Sequence, residues 1–186
     1  MIDRGFLLFD TPIGTCGIAW RDRGVVGVQL PEGSEAAARA RLGRDFPGAP
    51  ESAPPPEVQR AVDGIVALLS GEARDLSFVE LDMREVPPFY RRVYEVARTI
   101  PPGATLSYGE IAARLGEPGA ARDVGVALGQ NRFAIVVPCH RVVAANGKLG
   151  GFSARGGVRT KLRLLSIEGV QAPGTIPLFE RGSIGR

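Results

Sequence analysis

Five of the eleven residues from Phe46 to Pro56 are proline. No helix interior or central strand tolerates that density, because each proline removes a backbone donor and fixes φ. Pro87-Pro88 and Pro101-Pro102-Gly103 add two further breaks, so regular structure has to be assembled from short pieces between them. Ahead of the first break, Phe6 to Phe9, Cys16 to Trp20 and Val25 to Leu30 are short apolar or alternating runs separated by glycine-containing turns. That pattern predicts an antiparallel meander of three strands. Ser34 is placed to cap an alanine-rich helix through Arg44, with Glu35 in its first turn. A second helix is expected from Glu57 to Ser70, and Leu76 to Leu81 alternates as a further strand would. Residues 1–85 therefore read as an α/β domain with a small antiparallel sheet.

Past Pro87, the positions Phe89, Val93, Val96, Ala97 and Ile100 fall at helical spacing. Ser107 and Glu110 make a capping box for a short helix beginning SYGEIA. Gly116 to Gly119 turns the chain, and a second short helix is predicted from Ala120 to Leu128. Helix, glycine turn, helix fits both a DNA-reading helix-turn-helix and an ordinary helical hairpin in a core. The second helix is made largely of Ala, Gly and Val with one long cation, Arg122, which suits entry into a groove. After Asn131 and Arg132 a strand is expected up to Pro138, then a turn at Asn146-Gly147, a loop from Gly150 to Gly157 and a helix from Val158 to Glu168. Residues 86–170 thus read as a mostly helical second domain, and residues 171–186 as an extended tail.

Charge divides along the same boundary. Residues 1–86 carry a net −5 and residues 87–186 a net +8, which points to a polyanionic partner for the second half. The apolar run Phe6 to Phe9 is too short for a signal peptide or a membrane span, so a cytoplasmic protein that does not engage membranes is expected. Cys16 and Cys139 lie in unlike contexts and do not suggest a disulfide framework. With His140 they are also too few to build a four-ligand Cys/His zinc site, and no acidic cluster suggests another metal.

The chemistry concentrates in Ile135 to Val143, IVVPCHRVV. A β-branched run leads to a proline, then a cysteine, then the single histidine of the chain and an arginine. A thiol titrates near about 8.5, so a working nucleophile needs a base or a positive charge beside it. His140 and Arg141 are of the right types.

PCHRVV at 138–143, Asn131 eight residues before the cysteine, Arg122 seventeen before it, SYGEIA at 107–112, Gly151-Phe152-Ser153 and LLSIEG at 164–169 together resemble the O6-alkylguanine-DNA alkyltransferase family. The likeness is close over about residues 85–170 and looser at the opening FDTPIG. It implies a ribonuclease H-like N-terminal domain joined to a winged-helix-like C-terminal domain. It implies an alkyl, above all methyl, transfer from O6 of guanine in double-stranded DNA to Cys139, irreversible and without cofactor or metal, with O4-alkylthymine as a further candidate substrate. His140 would act through a water as base, and Glu168 would polarise it. Asn131 would brace the turn between recognition helix and active-site strand. Tyr108 would assist rotation of the nucleotide and hydrogen-bond the departing base. Arg122 would fill the gap left by the flipped guanine, with Ala121, Gly125 and Ala127 on the helix in the minor groove. Backbone groups of Cys139 and Val142 would read the guanine edge, Phe152 would cover it and Ser153 would bind O6. Arg141 would be structural and Cys16 a core residue. Arg132 stands where the family commonly has proline, and Asp123 adds an acid beside Arg122. A monomer in solution is implied, with room for cooperative binding on DNA.

Two other classes compete. A DNA-binding lesion sensor would flip the base without repairing it, but such relatives replace the cysteine that this chain keeps. A thiol hydrolase would pair Cys139 directly with His140, whereas adjacent residues of an extended segment point to opposite sides.

Overall fold

The structure, a computed structural model, describes residues 4–170; the tail read at 171–186 lies outside them. Three strands, β1 (Gly5–Thr11), β2 (Gly14–Arg21) and β3 (Gly24–Gln29), form an antiparallel sheet in sequence order. Two-residue turns at Pro12-Ile13 and Asp22-Arg23 set a register in which Phe9 faces Cys16 and Ile18 faces Val28. Because side chains alternate between faces, Cys16, Ile18, Trp20 and Val28 enter the main core while Phe6, Ala19 and Val26 form a smaller cluster behind. Helix α1 (Glu35–Asp45), capped by Ser34, covers that second face with Leu42. Helix α2 (Pro56–Leu69) starts on a proline at a position where no donor is lost and buries Val58, Ala61, Val62, Ile65 and Leu68 in the main core.

The strand expected at Leu76 to Leu81 does not form. Asp75 closes a turn by accepting from the Ser77 amide at 2.8 Å. The Arg98 guanidinium donates to the carbonyls of Leu76, Ser77 and Val79, and carbonyls bound in this way are not available to a ladder. Only Leu81 bridges β3, at Val25.

Helix α3 (Pro88–Arg98) packs against α4 (Tyr108–Arg114) and α5 (Ala121–Gly129). Its Val93, Tyr94 and Ala97 meet Ile111, Val124 and Ala127 in the same continuous core that holds the sheet. The buried Tyr94 hydroxyl donates to the Ala127 carbonyl at 2.9 Å, which satisfies the one polar atom this aromatic residue takes inside. Two short strands, β4 (Leu106–Ser107) and β5 (Val142–Val143), pair in parallel, and α6 (Val158–Ile167) closes the fold. Among the described residues no helix is long and apolar enough to cross a membrane.

The strand expected before Pro138 is also replaced. Residues 132–134 touch the edge of β3, where the Val28 amide donates to the Arg132 carbonyl and the Ala134 amide to the Val28 carbonyl. Then the chain coils. Ile135 takes φ +71°, a left-handed conformation that costs a β-branched residue on the order of 1–3 kcal/mol. The Val137 amide bonds the Phe133 carbonyl at 2.8 Å, and the Cys139 amide bonds the Val137 carbonyl. Ile135, Val136 and Val137 are all buried, so their apolar character marks core position rather than strand.

Candidate active site

Pro138 ends the coil, and Cys139–Arg141 form a single 3-10 turn rather than an extended segment. Asn131 holds the coil's geometry. Its Oδ1 accepts from the Phe133 amide and its Nδ2 donates to the Val137 carbonyl, both at 2.9 Å. One side chain thus ties the residues after α5 to those just ahead of the thiol.

Behind the thiol lies a buried ionic cluster. Glu168, at the C-terminal cap of α6, accepts from His140 Nε2 at 2.8 Å and from Arg141 Nε and Nη2, each at 2.8 Å. Arg141 also donates to the Ile100 carbonyl at 2.6 Å. The three side chains are almost wholly shielded from solvent. Burial alone would push the Glu168 carboxyl up, but the hydrogen bonds from His140 and Arg141 outweigh it and hold the group at about 2. An ionised carboxylate only accepts, so Nε2 is the protonated ring nitrogen and Nδ1 carries the lone pair. Burial pushes His140 down against the upward pull of Glu168, which keeps the imidazole neutral. Nδ1 is buried with no hydrogen-bond partner among the described residues: a poised acceptor next to a cysteine.

Cys139 is half-buried. Burial pushes its thiol up, and the Asn131 amide and the Lys161 charge pull down without prevailing. The resting sulfur is therefore a thiol, and a base has to take its proton.

Lys161, one turn into α6, was not singled out from the sequence. It is fully buried, donates from Nζ to the Val142 carbonyl at 2.5 Å and sits 5.9 Å from the centre of the Tyr108 ring. Burial pulls it down to about 8, opposed by Cys139. The available signal was positional: 161, 164, 165 and 168 are spaced as one inward stripe, and a lysine within such a stripe is out of place unless it has work to do.

In front of the sulfur opens a cleft of about 460 Å³, lined among others by Tyr108, Gly125, Gly129, Cys139, Phe152 and Ser153. The capping box at Ser107 and the β4–β5 pairing bring Tyr108 to this wall, where burial pushes its phenol up. Gly150, at φ +69°, lets the loop pass so close that a Cβ there would stand 3.1 Å from the Tyr108 hydroxyl. Val142 lies just behind, with its amide bonded to the Cys139 carbonyl and its own carbonyl bonded to Lys161; its N–H is not free to read a base.

On α5, Arg122 and Asp123 are exposed and Ala121 and Gly125 half-exposed. Ala127 is a correction: it is fully buried against α3, and the neighbour that reaches solvent is Val126, 47% exposed. The helix presents 122, 125 and 126 outward, a phase that its nearly uniform small residues did not reveal. Arg132 is exposed, 3.8 Å from Glu85. Cys16 is buried, as expected of a core residue, and burial pushes its thiol up to about 11. No group of three or more His, Cys, Asp or Glu that could hold a metal occurs among the described residues.

The site thus joins a cleft-lining thiol, a buried imidazole–carboxylate pair next to it in the chain and a pair of short helices, α4 and α5, on the cleft wall, an arrangement of the class in which a cysteine can serve as nucleophile. A family model described as "6-O-methylguanine DNA methyltransferase, DNA binding domain" matches residues 88–170. The methylated-DNA–protein-cysteine methyltransferase of Mycobacterium tuberculosis is 41% identical over 92% of this chain and 96% of its own. Its namesake in Methanothermobacter thermautotrophicus is 37% identical over 88% and 84%. The crystal structure of M. tuberculosis OGT in complex with DNA covers 88% of this chain and 92% of that one, with a TM-score of 0.72 and 38% identity. The chain belongs to the methylated-DNA–protein-cysteine methyltransferase family.

Proposed function

We propose that this chain repairs DNA by taking an alkyl group from O6 of guanine onto Cys139, one group per protein molecule. The observation that carries the reading is the pairing of a cleft-lining Cys139 with a chain neighbour, His140, whose Nε2 is bound to the buried Glu168 carboxylate and whose Nδ1 has no partner among the described residues. The Cys139 proton passes through a water to His140 Nδ1, and the Glu168 carboxylate stabilises the imidazolium that results. The thiolate then attacks the alkyl carbon in line. The S–C bond forms as the C–O6 bond breaks, and the guanine leaves with its electron pair and is protonated. Sulfur and alkyl carbon suffice for this step, so no cofactor is called for. A thioether is a poor leaving group, which makes the transfer irreversible.

A base inside a duplex is out of the sulfur's reach and has to be turned out of the stack. Arg122 is the wedge that replaces it, with Ala121, Gly125 and the exposed Val126 against the minor groove. Tyr108 and Ser153 hydrogen-bond the turned-out base and Phe152 covers it. The partner is double-stranded DNA bearing O6-alkylguanine, met by a cytoplasmic monomer; O4-alkylthymine is a second candidate substrate. The ribonuclease H-like and winged-helix-like descriptions of residues 1–85 and 86–170 belong to this same reading.

The test is the intact mass of the protein after incubation with a duplex holding one O6-methylguanine. The expected gain is one methyl, about 14 Da for the CH₂ increment, mapped to Cys139 and absent from Cys139→Ala. Binding with no gain in mass would favour the lesion-sensor reading instead.

A further inference from the structure

The loop Gly150 to Gly157 carries Phe152 and Ser153, and its supports are unequal. On one side α6 holds it: Thr160 Oγ1 donates to the Arg155 carbonyl at 2.6 Å, and Lys161 reaches the Gly151 carbonyl at 3.5 Å. On the other side the loop faces the N-terminal half across a cavity of about 370 Å³, lined by Cys139, Phe152 and Ser153 from one half and by Leu30 and Glu32 from the other. Where a cavity intervenes, side-chain packing contributes little to position.

A single hydrogen bond joins the loop to residues 4–85 among the described residues. Arg155 Nη1 donates to the Glu32 carbonyl at 2.6 Å. The guanidinium lies over Gly33, where a Cβ would stand 2.8 Å from Arg155 Cζ and where φ is +94°. Glycine at 33 thus serves both the turn and the close approach. The turn is itself anchored, because the Glu32 carboxylate is paired with Arg41 of α1.

We infer that Arg155 is a positioning residue: latched onto the Glu32–Gly33 turn, it sets the height of Phe152 and Ser153 over the cleft. The N-terminal half thereby takes part in the transfer step. The inference rests on the alkyl-transfer reading. It differs from a phosphate contact in what it controls, since a latch governs the rate once DNA is bound and a phosphate contact governs how much DNA is bound.

The experiment compares the intact chain with Arg155→Ala and Gly33→Ala in single-turnover transfer from an O6-methylguanine duplex over a range of DNA concentrations. Amide hydrogen exchange of residues 150–157 is followed alongside. With Arg155→Ala the saturating rate should fall by about tenfold or more, the scale expected when a reacting group is slightly misplaced. The half-saturating DNA concentration should not move, and the loop amides should exchange faster. Gly33→Ala should reproduce the loss, and the double variant should be no slower than the slower single one, because both cut the same tie. A wild-type saturating rate in Arg155→Ala overturns the inference. So does a change confined to the half-saturating concentration, which would make Arg155 a DNA contact. If the unaltered chain gains no methyl at all, the alkyl-transfer reading fails by itself, while loop exchange still reports whether the latch exists.

Discussion

The helix pair α4–α5 and the coil that carries Cys139 lie side by side and are built on opposite principles. The pair is local. Ser107 and Glu110 satisfy each other's backbone donors within one turn at 3.1 and 2.6 Å, and a glycine turn separates two short amphipathic helices. The coil is held by one near neighbour and by partners far away in sequence. Asn131 clamps its entry, β3 supports its edge, and Glu168, 28 residues beyond His140, fixes the two residues after the thiol. A helix pair fixed by its own caps can rest on generic residues, whereas a sulfur, a base and a carboxylate that act together must be aligned in three dimensions. The alignment is maintained against local preference, as the left-handed Ile135 shows.

Substitutions in the two regions should therefore differ in both size and kind. Glu168→Gln should have the largest effect. It places an amide donor among the donors of Arg141 and His140 and should cost about 3–5 kcal/mol, the scale for breaking a buried ion pair. It should also slow transfer on the order of tenfold or more by depriving His140 of its counter-charge; thermal denaturation and single-turnover kinetics read the two effects. The same carboxylate makes stability depend on pH. Its folded value of about 2 lies below the ordinary 4.5, so its contribution is complete above about 4.5 and fades as pH falls toward 2. A chain equally stable at pH 5 and pH 2.5 would show that the cluster contributes nothing.

Arg122→Ala should come next in its effect on repair. Transfer from duplex DNA should drop by about tenfold or more with loss of the wedge, while reaction with the free base O6-methylguanine, which needs no flipping, stays unchanged. Equal losses on the two substrates would remove the wedge role. Asn131→Ala leaves the Phe133 amide and the Val137 carbonyl without their partner and should cost about 1–3 kcal/mol. Unlike a change in the helix pair, it should also lower the saturating transfer rate. Ser107→Ala is the smallest: about 1 kcal/mol from a lost N-cap, seen in the denaturation midpoint, with the rate on the free base intact. If Ser107→Ala slowed that reaction as much as Asn131→Ala, the contrast between the two regions would fail.

How much could be read beforehand tracks the same division. The three-stranded meander, the Ser34 and Ser107 caps and the helices at 88–98, 108–114, 121–129 and 158–167 were legible within a residue or two, because turn and cap chemistry is local. The strands expected at 76–81 and before Pro138 were misread for a shared reason. Side chains outside each segment, Arg98 from 19 or more residues away in one case and Asn131 from the preceding turn in the other, bind backbone groups that a ladder would use. The phase of α5 was hidden because Ala, Gly and Val sit on both of its faces.

By itself the sequence determined which groups are available: one histidine, one cysteine beside it, a glutamate after a leucine-rich helix, and a basic second half. Those are matters of composition and short-range order. Only the tertiary structure decided that Glu168 holds the His140 proton on Nε2 and frees Nδ1, that Lys161 is buried beside the cleft, and that Arg155 ties the active-site loop to the N-terminal half. Each of these depends on burial and on distances between segments far apart in the chain. The energy of a charge or a hydrogen bond is set by that environment, and the order of residues does not specify it.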